Sequence, residues 1–162
     1  MTQHLAELNI GRLLAPTDDP RVAEFMANLD RINGLGKRMP GFVWMMEGSG
    51  EPGTGNTENA IGDDPQFVAN LTVWEDVEAL ERFVWGTLHK QFYQRRAEWF
   101  ELMGDQHFVM WWVPAGHRPT LQEGLARLDL LRRNGDSDDA FGWTHLAEAR
   151  MWRSGLCASE AS

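Results

Sequence analysis

The sequence predicts a mixed α+β domain in which strand, helix, strand, strand, helix and strand succeed one another, followed by an additional C-terminal helix. Three observations predict it. Stretches of two-residue alternation and stretches of helical apolar spacing replace each other along the chain. Each helical stretch opens on a capping signal, at Asp19-Pro20, at Asp76 and at Thr120-Leu-Gln-Glu123. The run Phe108-Val-Met-Trp-Trp-Val-Pro114 leads into the last of these starts. Its adjacent tryptophans, Trp111 and Trp112, must point to opposite faces of a strand, so both faces of the sheet need cover.

The first strand is read over His4 to Leu14, with Ala6, Leu8 and Ile10 on one face and Glu7 and Asn9 on the other. Asp19 can cap the first helix and Pro20 suits its first turn. Val22, Phe25, Met26, Leu29 and Ile32 give that helix its apolar stripe, and Gly34, Gly36 and Pro40-Gly41 bring it to an end. Phe42 to Glu47 reads as the second strand, Gly48 to Pro65 as a surface loop, and Phe67 to Trp74 as the third strand. Asp76 caps a second helical region with Val77, Leu80, Phe83 and Val84 inward. Gly86 breaks it, and helix resumes from His89 to Leu102.

His107 to Val113 is the fourth strand. In Thr120-Leu-Gln-Glu123 the Thr and Glu side chains can satisfy exposed backbone donors reciprocally. Leu121, Leu125, Leu128 and Leu131 form the buried stripe of the C-terminal helix, Glu123 and Arg127 can pair one turn apart, and Gly135 suits its end. Phe141 to His145 reads as a short closing strand, and the polar tail from about residue 150 can be disordered. There is no internal repeat and no linker, so residues 1–162 read as one domain.

The order is that of the split βαβ, ferredoxin-like arrangement. In a lone domain of this kind the outer sheet face is wet, but here it carries Trp44 or Met45, Trp74, and one of Trp111 and Trp112. A second copy of the chain is the simplest cover, because a twofold dimer buries the same patch on both partners.

Composition narrows the function. A net charge of −9 with no basic stripe argues against a nucleic-acid partner. The single cysteine, Cys157, forms no internal disulfide, which fits a reducing compartment. There is no leader-like N-terminus and no run of membrane-spanning length, so the expected location is cytoplasmic, away from membranes. Eight tryptophans and eight methionines are many for 162 residues, and such side chains line cores, adaptable pockets and subunit interfaces.

Strand alternation gives a candidate pocket. If Ala6, Leu8, Ile10, Leu71 and Val73 face the helices, then Glu7, Asn9, Asn70, Thr72 and Trp74 face the other side, with Met45 and Glu47 beside them. Polar groups among aromatics on an enclosed face are what small-molecule sites require. The same groups could instead satisfy one another or line a water-filled seam. His89 lies near the start of the resumed helix, with Tyr93 and Arg96 one and two turns along the same face. The histidine could act as general base, Arg96 could hold an oxyanion, and Glu7 or Glu47 could orient the imidazole. A plain surface ladder is the competing reading. His117, before the C-terminal helix, reads as a structural loop residue.

His4, His107 and His145 show no spacing of metal-ligand type, so no metal site is expected. No cofactor is expected either, although one histidine would suffice for haem. Gly48-Ser-Gly-Glu-Pro-Gly53 fits a dinucleotide fingerprint in letters only, since Pro52 interrupts it and no helix follows. Asn70-Leu-Thr72 fits a glycosylation sequon but falls mid-strand.

Several stretches resemble the bacterial family catalogued as domain of unknown function 3291. They are Ala15-Pro-Thr-Asp-Asp-Pro20, Leu29-Asp-Arg-Ile-Asn33, Gly41-Phe-Val-Trp44 and Val73-Trp74, then His89, Arg95-Arg96, Glu98-Trp-Phe100, Trp111-Trp-Val-Pro-Ala-Gly-His117 and the Glu123 to Leu128 segment. The resemblance runs from about Leu5 to Phe141. It implies a dimeric α/β barrel, in a superfamily that includes cofactor-free quinone-forming monooxygenases, aromatic polyketide cyclases and haem enzymes. It implies no settled reaction. The family usually has Arg after Phe-Val-Trp, where this chain has Met45, so an anion-binding role does not carry over to that position.

The expectation is therefore a homodimer holding a small aromatic or polyketide-like ligand, with monooxygenase or cyclase/isomerase chemistry through Glu7, His89 and Arg96. Asn9, Trp44, Met45, Glu47, Asn70, Thr72, Trp74, Tyr93, Trp111 and Trp112 would surround the ligand. The alternatives are a non-catalytic binding or structural dimer and a haem protein.

Overall fold

Two layers of helix sandwich one antiparallel sheet in this computed structural model, which describes residues 2–46, 64, 66–102 and 106–146. The strands are β1 (Gln3–Arg12), β2 (Phe42–Met45), β3 (Phe67–Trp74) and β4 (Phe108–Pro114), in the order β2-β3-β1-β4. The helices are α1 (Ala23–Lys37), α2 (Val77–Gly86), α3 (Leu88–Gln94) and α4 (Leu121–Asn134). β1 is central: it pairs antiparallel with β3 from Leu5↔Trp74 to Arg12↔Phe67, and with β4 from Gln3↔Pro114 to Asn9↔Phe108.

Local chemistry accounts for most boundaries. Asp19 accepts from the Arg21 amide and starts a short 3-10 turn, Pro20–Val22, from which α1 continues. Asp76 accepts from Ala79 N at the head of α2. At Thr87 the backbone is extended, and its hydroxyl both donates to Phe83 O and accepts from His89 N, so one residue ends α2 and starts α3.

Other expectations need correction. α1 runs through Gly34 and Gly36 to Lys37. Gly36 is there because a Cβ would come within 3.2 Å of the Phe83 ring. The resumed helix stops at Gln94 and a 3-10 turn, Arg96–Glu98, follows. The chain then bends so that Phe100 bridges Leu13 and Trp99 is buried. Phe141 makes one isolated bridge to Met110 in place of a closing strand, and a 3-10 turn, Trp143–His145, follows.

The capping box at α4 is half made. Thr120 accepts from Glu123 N, but the Glu123 carboxylate turns away to accept from Trp111 Nε1 at 2.9 Å and to bind His117 Nε2 at 2.8 Å. A buried indole N–H needs an acceptor more than a helix-end amide that water can reach. Arg127 donates to the Asp139 carbonyl. Gly135, at φ 74, closes the helix as expected.

The main correction concerns which face is which. Ala6, Leu8, Ile10, Ala69, Leu71, Val73, Val109 and Trp111 form one cluster with Leu128 and Leu131 of α4. Leu5, Trp74 and Met110 form another with Leu80, Phe83 and Val84 of α2, joined by Ile32 and Leu35 of α1. The Glu7 face therefore lies beneath α1, α2 and α3, and the all-apolar face is covered by α4. The leucine stripe of α4 has only apolar side chains opposite it, so it buries the most surface there. Trp74 and Trp111 are both 0% exposed within the chain, so no partner is needed to cover them.

Close approach of α4 depends on Gly124, where a Cβ would lie 3.0 Å from Leu8 Cδ2 and 3.4 Å from Trp111 Cη2. Gly124→Val should lower stability by about 1–3 kcal/mol through overpacking. A urea-denaturation midpoint equal to that of the unsubstituted chain would contradict this packing.

Candidate functional site

The odd-numbered side chains of β1 and the even-numbered ones of β3 share the face beneath α1–α3. Successive rows across these strands are Leu5 with Trp74, Glu7 with Thr72, Asn9 with Asn70, and Gly11 with Val68. The outer rows are apolar and the two inner rows are polar. Accordingly the apolar material on this face divides into two clusters. One contains Leu5, Trp74, Phe83 and Met110, with Phe108 packed against it. The other contains Leu13, Val22 and Trp99, with Val68, Phe92 and Phe100 against it. Between them lies a polar seam of Glu7, Thr72, Asn9 and Asn70, flanked by aromatic rings.

Gly11 builds one wall of the seam. A Cβ there would sit 2.6 Å from Phe100 Cδ1, so only glycine lets that ring lie against the strand. On the other side Phe42 meets Trp74 edge-on at 5.5 Å, and Phe83 stacks on Trp74 at 5.3 Å.

Glu7 is 4% exposed and Thr72 2%. Trp74 Nε1 donates to Thr72 Oγ1 at 2.9 Å, and Thr72 Oγ1 donates to Glu7 Oε1 at 2.8 Å. Asn9 Nδ2 donates to Glu7 Oε2 at 3.2 Å. Among the described residues Glu7 has no cationic partner. Burial raises its carboxyl pKa to about 7, against the opposing hydrogen bonds from Thr72 and Asn9. Asn9 suits a carboxyl that titrates: its amide N–H can donate to the carboxylate, and its carbonyl can accept from the protonated acid.

His89 lies in the helical layer of the same face. Its ring packs on Phe83 at 4.8 Å and stacks with Tyr93 at 6.5 Å. Its Nδ1 lies 3.3 Å from Val84 O, a carbonyl that can only accept, so Nδ1 carries the proton and Nε2 is an acceptor. Burial lowers its pKa to about 4, against the pull of that carbonyl, and the imidazole is neutral at physiological pH.

Arg96 is exposed. Its guanidinium lies 4.2 Å over the Tyr93 ring and donates to Tyr93 O. His89, Tyr93 and Arg96 thus form the expected ladder, but its outer end is at the surface and Glu7 lies beyond Phe83 and Trp74. The structure brings Glu7 together with Asn9, Thr72 and Trp74. It does not bring Glu7, His89 and Arg96 together around one point.

The remaining candidates separate by face. Met45 pairs with Thr72 and is buried beside the polar rows. Trp112 lies on this face too, against Phe141 at 6.2 Å. Trp111 lies on the opposite face, as does Trp44, which packs with the apolar cluster there. A recess of about 480 Å³ follows β2, lined by Lys37 and Phe42 through Met46. Glu47 and the glycine-rich pattern after it lie outside the described residues.

Sequence reasoning placed Phe83 inward but did not single out Gly11, Phe100 or Phe108 beside the seam. A glycine inside an alternating strand was the available signal, since it marks a close approach. Among the described residues no group of three His, Cys, Asp or Glu side chains could hold a metal ion, and no helix is long and apolar enough to cross a membrane.

A model for a domain of unknown function (DUF3291) matches residues 4–156. The chain belongs to that family. Among solved structures it is similar to the crystal structure of PA3566 from Pseudomonas aeruginosa, at 15% identity over 74% of this chain and 98% of that one, with a TM-score of 0.46. Comparison with curated proteins finds no match.

The buried acid of this DUF3291 chain has a measurable consequence. Its pKa is raised from 4.5 to about 7 in the folded state, so its contribution to stability is complete below about 4.5 and is lost as pH rises to about 7. That shift corresponds to roughly 3 kcal/mol. Glu7→Gln removes the titration while its amide keeps hydrogen bonds to Thr72 and Asn9. The variant should gain up to roughly 3 kcal/mol on the unsubstituted chain between about pH 5 and pH 8. Denaturant unfolding at both pH values checks it, and parallel pH profiles would remove the buried-acid assignment.

Proposed function

We propose that this protein binds a small aromatic or polyketide-like molecule on the helix-covered side of its sheet, with Glu7 as the proton-transferring group. The observation that carries this reading is the polar seam itself. A carboxyl group with no counter-charge costs free energy in a core, and here it is hydrogen-bonded between two aromatic clusters with its pKa near neutrality. An acid or base is most effective when its pKa lies near the working pH. Thr72 and Trp74 fix the carboxyl, Asn9 and Asn70 offer amides beside it, and Met45 and Phe108 bound the same rows.

His89 is neutral and separated from Glu7 by Phe83 and Trp74, and its low basicity leaves the proton-moving role to Glu7. Arg96 is assigned to the surface. Acid–base chemistry of the cyclase/isomerase kind, or oxygen insertion into an electron-rich ring, would use such a group without a resident cofactor.

The split βαβ order and the family support a dimer as part of this reading. β2 is an edge strand, its run Phe42 to Met46 carries no charge, and an open recess follows it. A second copy adding its own β2 there would extend the sheet.

Native mass spectrometry of freshly purified protein, with a denatured control, tests both parts. The expected result is a dimer carrying a reproducible extra mass that denaturation releases. A bare dimer counts against a retained ligand, and a monomer removes the β2 partner. Trp44→Lys should shift a dimer toward monomer.

A further inference from the structure

The Glu7 end of the seam is closed as it stands. Glu7 is 4% exposed, Thr72 2% and Trp74 0%, with Phe42 and Phe83 against the Trp74 ring. Whatever reaches this carboxyl from solvent needs part of the helical cover to move. The three covering helices differ in how firmly they are held.

α2 is fixed, since seven of its ten residues are buried, from Val77 to Trp85. α1 is pinned at both ends, by Val22 at 0% exposure before its first turn and by Gly36 against the Phe83 ring. α3 has seven residues and buries none of them completely. A helix of that length is marginal on its own, so its order comes from its neighbours. It nevertheless joins the two apolar clusters. Phe92 stacks on Trp99 at 5.6 Å, His89 packs on Phe83, and Tyr93 meets Trp85 edge-on at 5.1 Å.

Both ends of this segment leave helical geometry. Thr87 is extended, at φ −129 and ψ −173, and Arg95 passes into the 3-10 turn Arg96–Glu98. Beyond that turn the chain is anchored again: Trp99 is buried, and its carbonyl accepts from Leu14 N at 2.8 Å. Arg95 ties the segment to α1. Its guanidinium donates to the two Glu24 oxygens at 2.8 and 2.6 Å, and to Glu98 within the segment at 2.7 Å. These side chains are between 39% and 53% exposed, so the tie is weak and screened by salt. Closure also strands a donor. Trp85 Nε1 is buried with no hydrogen-bond partner among the described residues, and Tyr93 of α3 packs on its ring. Solvent reaches that N–H once Tyr93 moves away.

We infer that Thr87 to Glu98 is a lid, hinged at Thr87 and latched to α1 by Arg95 on Glu24, whose opening gives solutes access to the Glu7 seam. Its purpose rests on the site proposed above, but its motion does not and is measured with no ligand present.

Hydrogen exchange followed by mass spectrometry tests the lid on the full chain. Residues 87–98 should exchange through a local opening that low denaturant barely changes, while residues 77–85 and β1 exchange only with global unfolding. Glu24→Gln should raise exchange over 87–98 by about two- to fivefold and leave 77–85 unchanged. Glu98→Gln, which removes a pair internal to the segment, should raise it less. Access is read from thiol labelling of Thr72→Cys in a Cys157→Ser background, which should rise by the same factor when Glu24→Gln is added. Exchange of 87–98 only together with α2, or no response to Glu24→Gln, overturns the lid. Labelling that ignores Glu24→Gln overturns the access route. If Thr72→Cys does not fold, exchange in the two glutamine variants still decides the lid. A bare protein in native mass spectrometry counts against the ligand and leaves each of these outcomes as it is.

Discussion

The central strand constrains everything else in this molecule. β1 is hydrogen-bonded on both sides, so its side chains can only alternate between two faces, and those faces carry opposite chemistry. Ala6, Leu8 and Ile10 present an uninterrupted apolar surface, and α4 closes over it with Gly124 at the point of closest approach. Leu5, Glu7, Asn9 and Gly11 present a surface that is apolar at its ends and polar in the middle. No single hydrophobic cluster can form on the second face, and two form with a seam between them.

The carboxyl in that seam is accommodated, not neutralised. Thr72 relays the indole N–H of Trp74 onto one oxygen and Asn9 meets the other, so hydrogen bonds stand where an ion pair would otherwise be. The surrounding charges are spent elsewhere: Arg12 on Asp64 and Glu101, Arg95 on Glu24 and Glu98. The result is a buried acid whose ionisation is set by desolvation against its hydrogen bonds from Thr72 and Asn9. An apolar residue at this position would be less costly to bury than the carboxyl.

His89 shows how burial redistributes roles that residue type alone suggests. A histidine followed by tyrosine and arginine on one helical face has the pattern of a base with an anion holder. In the fold the imidazole donates its Nδ1–H to the Val84 carbonyl and loses basicity through burial, and the arginine stacks on the tyrosine at the surface. Glu7, expected to orient the imidazole, is instead the group whose pKa burial brings to about 7. The reversal follows from solvation: burial favours neutral forms, raising the carboxyl and lowering the imidazole.

By itself the sequence determined the local and periodic features of this protein. The four strands, the capping at Asp19, Asp76 and Thr120, the break at Gly86 and the stop at Gly135 are encoded within a few residues of where they act, and so are legible. Alternation also placed Glu7, Asn9, Asn70, Thr72 and Trp74 together on one face. Only the tertiary structure decided which helices cover that face, since α4 and the α1–α3 layer both offer apolar stripes and nothing local distinguishes them. It also decided that Trp111 and Trp112 part company, that Glu123 leaves its capping box for a buried indole, and that Gly36 and Gly11 yield to rings from distant segments. Those outcomes depend on contacts across tens of residues, where packing and desolvation outweigh local preference.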